Sequence, residues 1–148
     1  MDNGQGEAST PPTHDFSRLT QLRGLHIEGS PITDAGMAQL KQSSQLRWLS
    51  LTRTQVSDSG IAHLKGLGLL ESLDLADTRV TDAGLVHLER LEHLRSLNLR
   101  DTQVTLAGLA HLQGLAKLEV LELDSDQVTY ARMDELQKLL PECKLIVR

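Results

Sequence analysis

A chain of 148 residues with a net charge of −5 and a pI near 5.6 lacks the basic stripe that tracks phosphates, which argues against DNA or RNA as a partner. The length suits one domain and 39% hydrophobic content is ordinary, but only 2% of residues are aromatic, with one Phe, one Trp and one Tyr. So few rings argue against a globule with a deep shared centre, and for thin layers filled by Leu, Ile, Val and Ala.

Residues 1–15 are rich in Gly, Ser, Thr and Pro, with Pro11 and Pro12 in tandem, and bury too little apolar surface to offset the entropy of ordering. They are expected to form a flexible N-terminal tail. No basic start followed by an apolar run opens the sequence, and no stretch approaches the ~18 consecutive apolar residues of a membrane span. The lone Cys143 excludes an internal disulfide and multi-cysteine metal frameworks. The expected setting is therefore cytoplasmic, for a free-standing protein or for a domain of a larger or exported one, with no membrane partner.

From residue 16 a 24-residue period takes over. Leu22, Leu46, Leu70, Leu94 and Leu118 share one phase; Leu25, Leu49, Leu73, Leu97 and Leu121 a second; Ile27, Leu51, Leu75, Leu99 and Leu123 a third. A fixed period of this length is the signature of a solenoid. Phe16 and Leu19 are the remnant of a partial repeat, placed to cover the open N-terminal end of the core. Within Leu73-Asp74-Leu75 the alternation has period two, which sends the leucines inward and Asp74 outward. The period becomes helical in Thr81-Asp82-Ala83-Gly84-Leu85-Val86-His87-Leu88, where Leu85 and Leu88 lie one turn apart. Thr81 suits the N-cap and Asp82 the positive end of the helix dipole.

Thr33-Asp34, Ser57-Asp58 and, without the acid, Thr105-Leu106 repeat the pattern. Gly36, Gly60, Gly84 and Gly108 fall in the first helical turn, where Gly costs about 1 kcal/mol relative to Ala; a side chain there is expected to push the helix off the sheet or a neighbouring coil. Gly66 and Gly114 follow the helices, where left-handed C-caps are expected. The strand-exit column Ser30, Thr54, Thr78, Thr102, Asp126 reads as a buried ladder that bonds turn backbone. The last unit departs: Tyr130-Ala131-Arg132 replaces Asp-Ala-Gly, and Leu145 and Val147 fall one period after Leu121 and Leu123, predicting a sixth, edge strand.

The pattern LxxLxLxxTxVTDAGLxHL, clearest in residues 70–88, resembles the leucine-rich repeat superfamily, in particular short bacterial TDAGL-type arrays. It is also similar to the helical repeats of ribonuclease inhibitor and F-box adaptors, although the cysteine-containing F-box class carries Cys where this chain has Thr54, Thr78 and Thr102. The resemblance covers residues 16–148. It implies an α/β fold: a right-handed solenoid of five 24-residue repeats plus partial end caps, with a parallel concave sheet of about six strands and short helices on the convex side. It also implies a module that binds another macromolecule, and it is specific for fold rather than partner.

The concave face is set by the residues between the inward leucines. Arg47, Glu71, Arg95 and Glu119 form an alternating charge column, expected to neutralise itself. Two roles compete for Trp48, the only aromatic residue in the regular array. Flanked by Arg47 and Arg53, it has the composition of a binding hot spot; alternatively it folds over the N-terminal end of the sheet near His26. The candidate partner-binding set is Trp48, Arg47, Arg53, Ser50, Ser72, Asp74, Asn98 and Arg100.

No catalytic residue, metal ligand or cofactor site is assigned. Glu119, Glu122, Asp124 and Asp126 read as a solvated acidic face or a dock for a basic partner rather than a cation site. His63, His87 and His111 sit on successive helices ~8–10 Å apart, too far to share one metal. No HExxH, GxSxG or GxxxxGK[ST] occurs. The expectation is a non-enzymatic module that binds a protein or peptide on its concave face. The alternative is a structural segment of a longer solenoid, whose partner is other domains of its own chain. Six strands ~4.8 Å apart and about 17 Å long present on the order of 400 Å², enough for a peptide or loop.

Overall fold

The computed structural model describes residues 19–148; the tail expected at residues 1–15 and the end cover assigned to Phe16 lie outside them. Among the described residues the chain winds through six short strands: β1 (Gly24–His26), β2 (Trp48–Ser50), β3 (Ser72–Asp74), β4 (Ser96–Asn98), β5 (Val120–Leu123) and β6 (Lys144–Val147). They form one parallel sheet in the order β1-β2-β3-β4-β5-β6. Parallel neighbours require crossovers, which here are the short helices α1 (Asp34–Met37), α2 (Asp58–Ile61), α3 (Asp82–Leu85), α4 (Leu106–Leu109) and α5 (Met133–Leu139). The result is an α/β solenoid with its sheet on the concave side.

Pairing follows the sequence period without slippage. Leu25 pairs with Leu49, Leu49 with Leu73, Leu73 with Leu97, Leu97 with Leu121 and Leu121 with Leu145. Because identical phases meet in register, each coil adds one leucine to every internal row. Leu49, Leu51, Leu73, Leu75, Leu97 and Leu99 are buried as expected, and the helix side supplies Met37, Ile61, Leu85 and Leu109. Burial falls off at both ends of the stack, where Leu19, Leu22, Leu25, Leu139 and Leu145 are partly covered.

After one α-helical turn, helices α1 to α4 tighten into 3-10 turns. That geometry accounts for Gly66 and Gly114, which do not adopt the left-handed C-cap conformation expected of them. The helix after α2 instead ends on an i→i+3 bond from the Leu67 N–H to the Leu64 carbonyl. Left-handed backbone appears at another phase, at Gly29, Arg53, Asp77 and Asp101 with φ of 60°, 56°, 53° and 54°. There the chain leaves the strand, and the N–H groups of Gly29, Arg53 and Asp77 reach the carbonyls of Thr52, Ala76 and Arg100 on the next coil at 3.0, 2.9 and 2.9 Å.

The threonine column behaves as a structural ladder. The Oγ1 atoms of Thr54, Thr78 and Thr102 donate to the Leu51, Leu75 and Leu99 carbonyls at 2.7, 2.7 and 2.6 Å. In the final coil Gln127 plugs the corresponding space. Its amide donates to the Leu99 carbonyl at 2.9 Å and to Thr102 Oγ1 at 3.0 Å, while its Oε1 accepts from the Asp124 N–H at 2.7 Å.

A second ladder joins the coils on the helix side. Asp34 accepts from the Ser57 N–H at 2.8 Å and its hydroxyl at 2.5 Å; Asp58 from the Thr81 N–H at 2.8 Å and hydroxyl at 2.7 Å; Asp82 from the Thr105 N–H and hydroxyl, both at 2.7 Å. Each aspartate therefore grips the N-cap residue of the following coil. This carboxylate explains three of the column's glycines, because a Cβ at Gly84 would stand 2.5 Å from Asp58 Oδ1, and those at Gly60 and Gly108 would strike Asp34 and Asp82; at Gly36 a Cβ would instead meet Ile32 Cγ1 at 2.9 Å.

Candidate functional site

Trp48 opens β2 on the solvent side of the sheet and is 42% exposed, whereas Leu49 beside it is fully buried. The indole lies over Gly24, its register partner on β1, so closely that a Cβ there would stand 3.0 Å from Cε3. It stacks on the His26 ring with centroids 5.8 Å apart and planes 7° apart. The ring covers the N-terminal edge strand and still offers much of its surface to solvent.

Around this stack sits a small charged frame. His26 Nε2 lies 3.1 Å from Glu28 Oε2, and the other Glu28 oxygen accepts from the Arg53 guanidinium. The His26 bond first, and Arg53 next, hold the Glu28 carboxyl below its ordinary range. The left-handed backbone at Arg53 starts its side chain from the strand-exit turn, beside Glu28. His26 and Glu28 were outside the sequence-derived set. Their signal was there in the repeat phase, since His26 registers with Ser50 and Glu28 lies two residues beyond it.

The other expected residues divide by location. Arg47 pairs with Glu71, and Arg95 with Glu119, so the alternating column resolves into two exposed ion pairs. Ser72 is half-buried next to Trp48 in register. Ser50 is only 4% exposed and lies 3.2 Å from the Thr52 hydroxyl, so its surface cannot contribute to a contact; the phase that places it between inward leucines does not prevent neighbouring coils from covering so small a side chain. Asp74 Oδ1 accepts from the Ala76 N–H at 3.0 Å and Asn98 Oδ1 from the Arg100 N–H at 3.1 Å, each closing a local turn. Arg100 Nε donates to Asp124 Oδ1 at 3.3 Å. Trp48, Arg47, Arg53 and Ser72 therefore gather at the N-terminal half of the sheet, while Asn98 and Arg100 belong to the other half.

The acidic residues at the far end are largely committed to such pairs. Glu119 holds Arg95, while Asp124 holds Arg100 and the Asp101 N–H. On the helices His111 Nδ1 lies 2.7 Å from Glu89, and burial pushes the pKa of His63 down. Among the described residues no group of three or more His, Cys, Asp or Glu side chains could hold a metal ion. Burial raises the Cys143 thiol to about 11, so it is protonated at neutral pH and a poor nucleophile.

A leucine rich repeat family model matches residues 68–128. Among solved structures, the chain is similar to internalin C2 from Listeria monocytogenes, with 26% identity and a TM-score of 0.71 over 88% of this chain and 53% of that one. A leucine-rich repeat protein of Leptospira interrogans matches at 22% identity and a TM-score of 0.58, covering 88% and 38% of the two chains. Leiomodin-1 actin-binding site 2 matches at 16% identity and a TM-score of 0.65, covering 86% of each chain. No curated protein matches. The chain thus spans about half the length of the internalin. Residues 68–128 thus match the leucine rich repeat model, and the fold of the described residues is that of solved leucine-rich repeat structures.

Proposed function

We propose that this solenoid is a non-enzymatic module whose concave face binds a protein or peptide, with the N-terminal half of the sheet as the centre of the contact. The observation that carries this reading is the 42% exposed indole of Trp48, stacked on His26 in a molecule otherwise almost free of aromatic residues. A preordered ring loses little entropy when a partner covers it, and tryptophan and arginine dominate binding hot spots. Leiomodin-1 actin-binding site 2, which shares the fold, is named for binding a protein.

The test separates binding from stability. Partners captured from native lysate are identified by mass spectrometry, and their affinity is then measured against Trp48→Ala. At least a tenfold loss, about 1.4 kcal/mol, is expected with little change in melting temperature. Acrylamide should quench the single tryptophan efficiently in the free protein. A strongly protected ring, combined with a large stability loss in Trp48→Ala, would make Trp48 an end cover and sink the assignment.

A second reading is a structural segment of a longer solenoid. It is favoured by the half-buried Leu145, Ile146 and Val147 on the edge strand β6. Concentration-dependent self-association that persists in Trp48→Ala would favour it.

A further inference from the structure

The charge around Trp48 runs against that of the chain. Arg23, Arg47 and Arg53 stand on the first two coils beside the stacked Trp48 and His26 rings, on a protein whose net charge is −5. The Arg23 carbonyl accepts from the N–H groups of Arg47 and Trp48 at 2.8 and 3.1 Å, so the Arg23 and Arg47 side chains leave neighbouring coils side by side. They flank the indole where the strands begin. Arg53 flanks it where the chain leaves β2, with its side chain started by the left-handed turn.

Two of the three are paired, Arg47 with Glu71 and Arg53 with Glu28, and those carboxylates are engaged there. Arg23 is exposed, and among the described residues no carboxylate lies within salt-bridge distance of it. Three guanidiniums therefore face two carboxylates, and both pairs are exposed enough to exchange partners at little cost. An exposed indole by itself would accept a cation on its face as readily as an apolar side chain. Here the surrounding arginines repel a cation, and they favour an apolar group over the ring with carboxylates at its borders. Asp74 and Asp77 on the next coil bound the patch, because a carboxylate placed over them meets like charge.

With Trp48 as the centre of the contact, a premise taken from the proposed function, we propose that the bound partner segment is acidic. An apolar side chain of the segment packs on the indole, and Asp or Glu residues beside it reach Arg23 and, by exchange with Glu71, Arg47.

The probe is acetyl-Asp-Glu-Leu-Phe-Glu-Asp-amide, titrated at low salt against the fluorescence of the single tryptophan. Peptides with Lys, or with Asn and Gln, in place of the acids are the comparisons. Saturation with a Kd below about 1 mM is expected for the acidic peptide, at least about tenfold tighter than for either comparison. Arg23→Glu should weaken it at least about fivefold without lowering the melting temperature. Arg90→Glu, which makes the same charge change away from the sheet, should leave the affinity within about twofold. Equal or tighter binding of the lysine or the neutral peptide, no saturation by the acidic one, or an undiminished response in Arg23→Glu would each overturn the acidic assignment and leave Trp48 to its own test. Acidic-peptide binding that calorimetry finds unchanged in Trp48→Ala would instead overturn the premise and the assignment together.

Discussion

The junctions between the first four coils and the junction leading into the last coil use the same positions in opposite ways. In the regular region an aspartate and a glycine 26 residues apart in sequence form one device: the carboxylate of Asp58 bonds Thr81, and Gly84 leaves room for it. In the final unit Leu106 removes the carboxylate, and at the equivalent distance Arg132 shows that the glycine is no longer needed. The glycine is thus kept for its missing Cβ, and not for backbone freedom; φ is left-handed at none of the helix-start glycines. The comparison also separates a closed interior from an open end. Leu75 is fully buried, whereas its neighbours in kind on β6 are half-covered.

The largest effect should come from charging the two regions. Leu75→Asp buries an unpaired carboxylate in the central coil, at a cost of about 5 kcal/mol or more, and should unfold most of the array. Leu145→Asp can turn its charge toward solvent at the edge and should fray only the last coil. Asp74→Ala, which removes one local turn bond, should cost about 1 kcal/mol. Thermal melts followed by circular dichroism decide this, and equal losses for Leu75→Asp and Asp74→Ala would reverse the inward and outward assignment.

Next in size is the glycine itself. Gly84→Ala forces its Cβ against Asp58 Oδ1 at 2.5 Å and Val80 Cγ1 at 3.1 Å, so a loss of about 2–4 kcal/mol is expected despite the better helix propensity of alanine. Arg132→Ala, at the same phase, should change stability by no more than about 0.5 kcal/mol. In a double-mutant cycle, adding Asp58→Ala should make Gly84→Ala less harmful. Additive losses would mean that the glycine serves something other than the carboxylate.

Much of this was legible in advance. The 24-residue period fixed the inward leucines, the strand register and the sixth strand, because Leu121 and Leu145 must meet if each coil adds one repeat. The helix-start glycines were read correctly as a steric requirement. What they accommodate was not read, because Asp58 and Thr81 look locally like a helix-dipole residue and an N-cap, and only stacking the coils shows them bonded to each other. The left-handed turns at Arg53, Asp77 and Asp101 were equally hidden, since none is glycine; bonds from neighbouring coils hold them. At the candidate site, the outward projection of Trp48 followed from period two. Its stack on His26 depended on the absent side chain at Gly24, and the burial of Ser50 on how neighbouring coils close over it.

A smaller effect tests the aspartate directly. Asp58→Ala removes two charge-assisted bonds at a partly buried junction and should cost about 2 kcal/mol. Leu106→Asp together with Arg132→Gly transplants the device into the fourth junction and should raise stability by about 1 kcal/mol. If the transplant destabilises the chain instead, the final unit has diverged in backbone as well as in side chains, and the equivalence of the junctions fails.

The smallest effect belongs to the concave ion pairs, which mark the difference between an aspartate held between coils and a carboxylate in water. Arg95 and Glu119 have side chains 50% and 60% exposed, and their attraction is offset by solvent screening and by the entropy of holding two long side chains together. Arg95→Ala should therefore change stability by no more than about 0.5 kcal/mol, and raising the salt concentration should shrink even that. Denaturant melts at low and high salt measure both quantities. A loss as large as that from Asp58→Ala would make the charge column part of the scaffold. A negligible loss leaves Arg47 and Arg95 free to exchange Glu71 and Glu119 for a partner's carboxylates at little cost to the fold, as a surface used for binding requires.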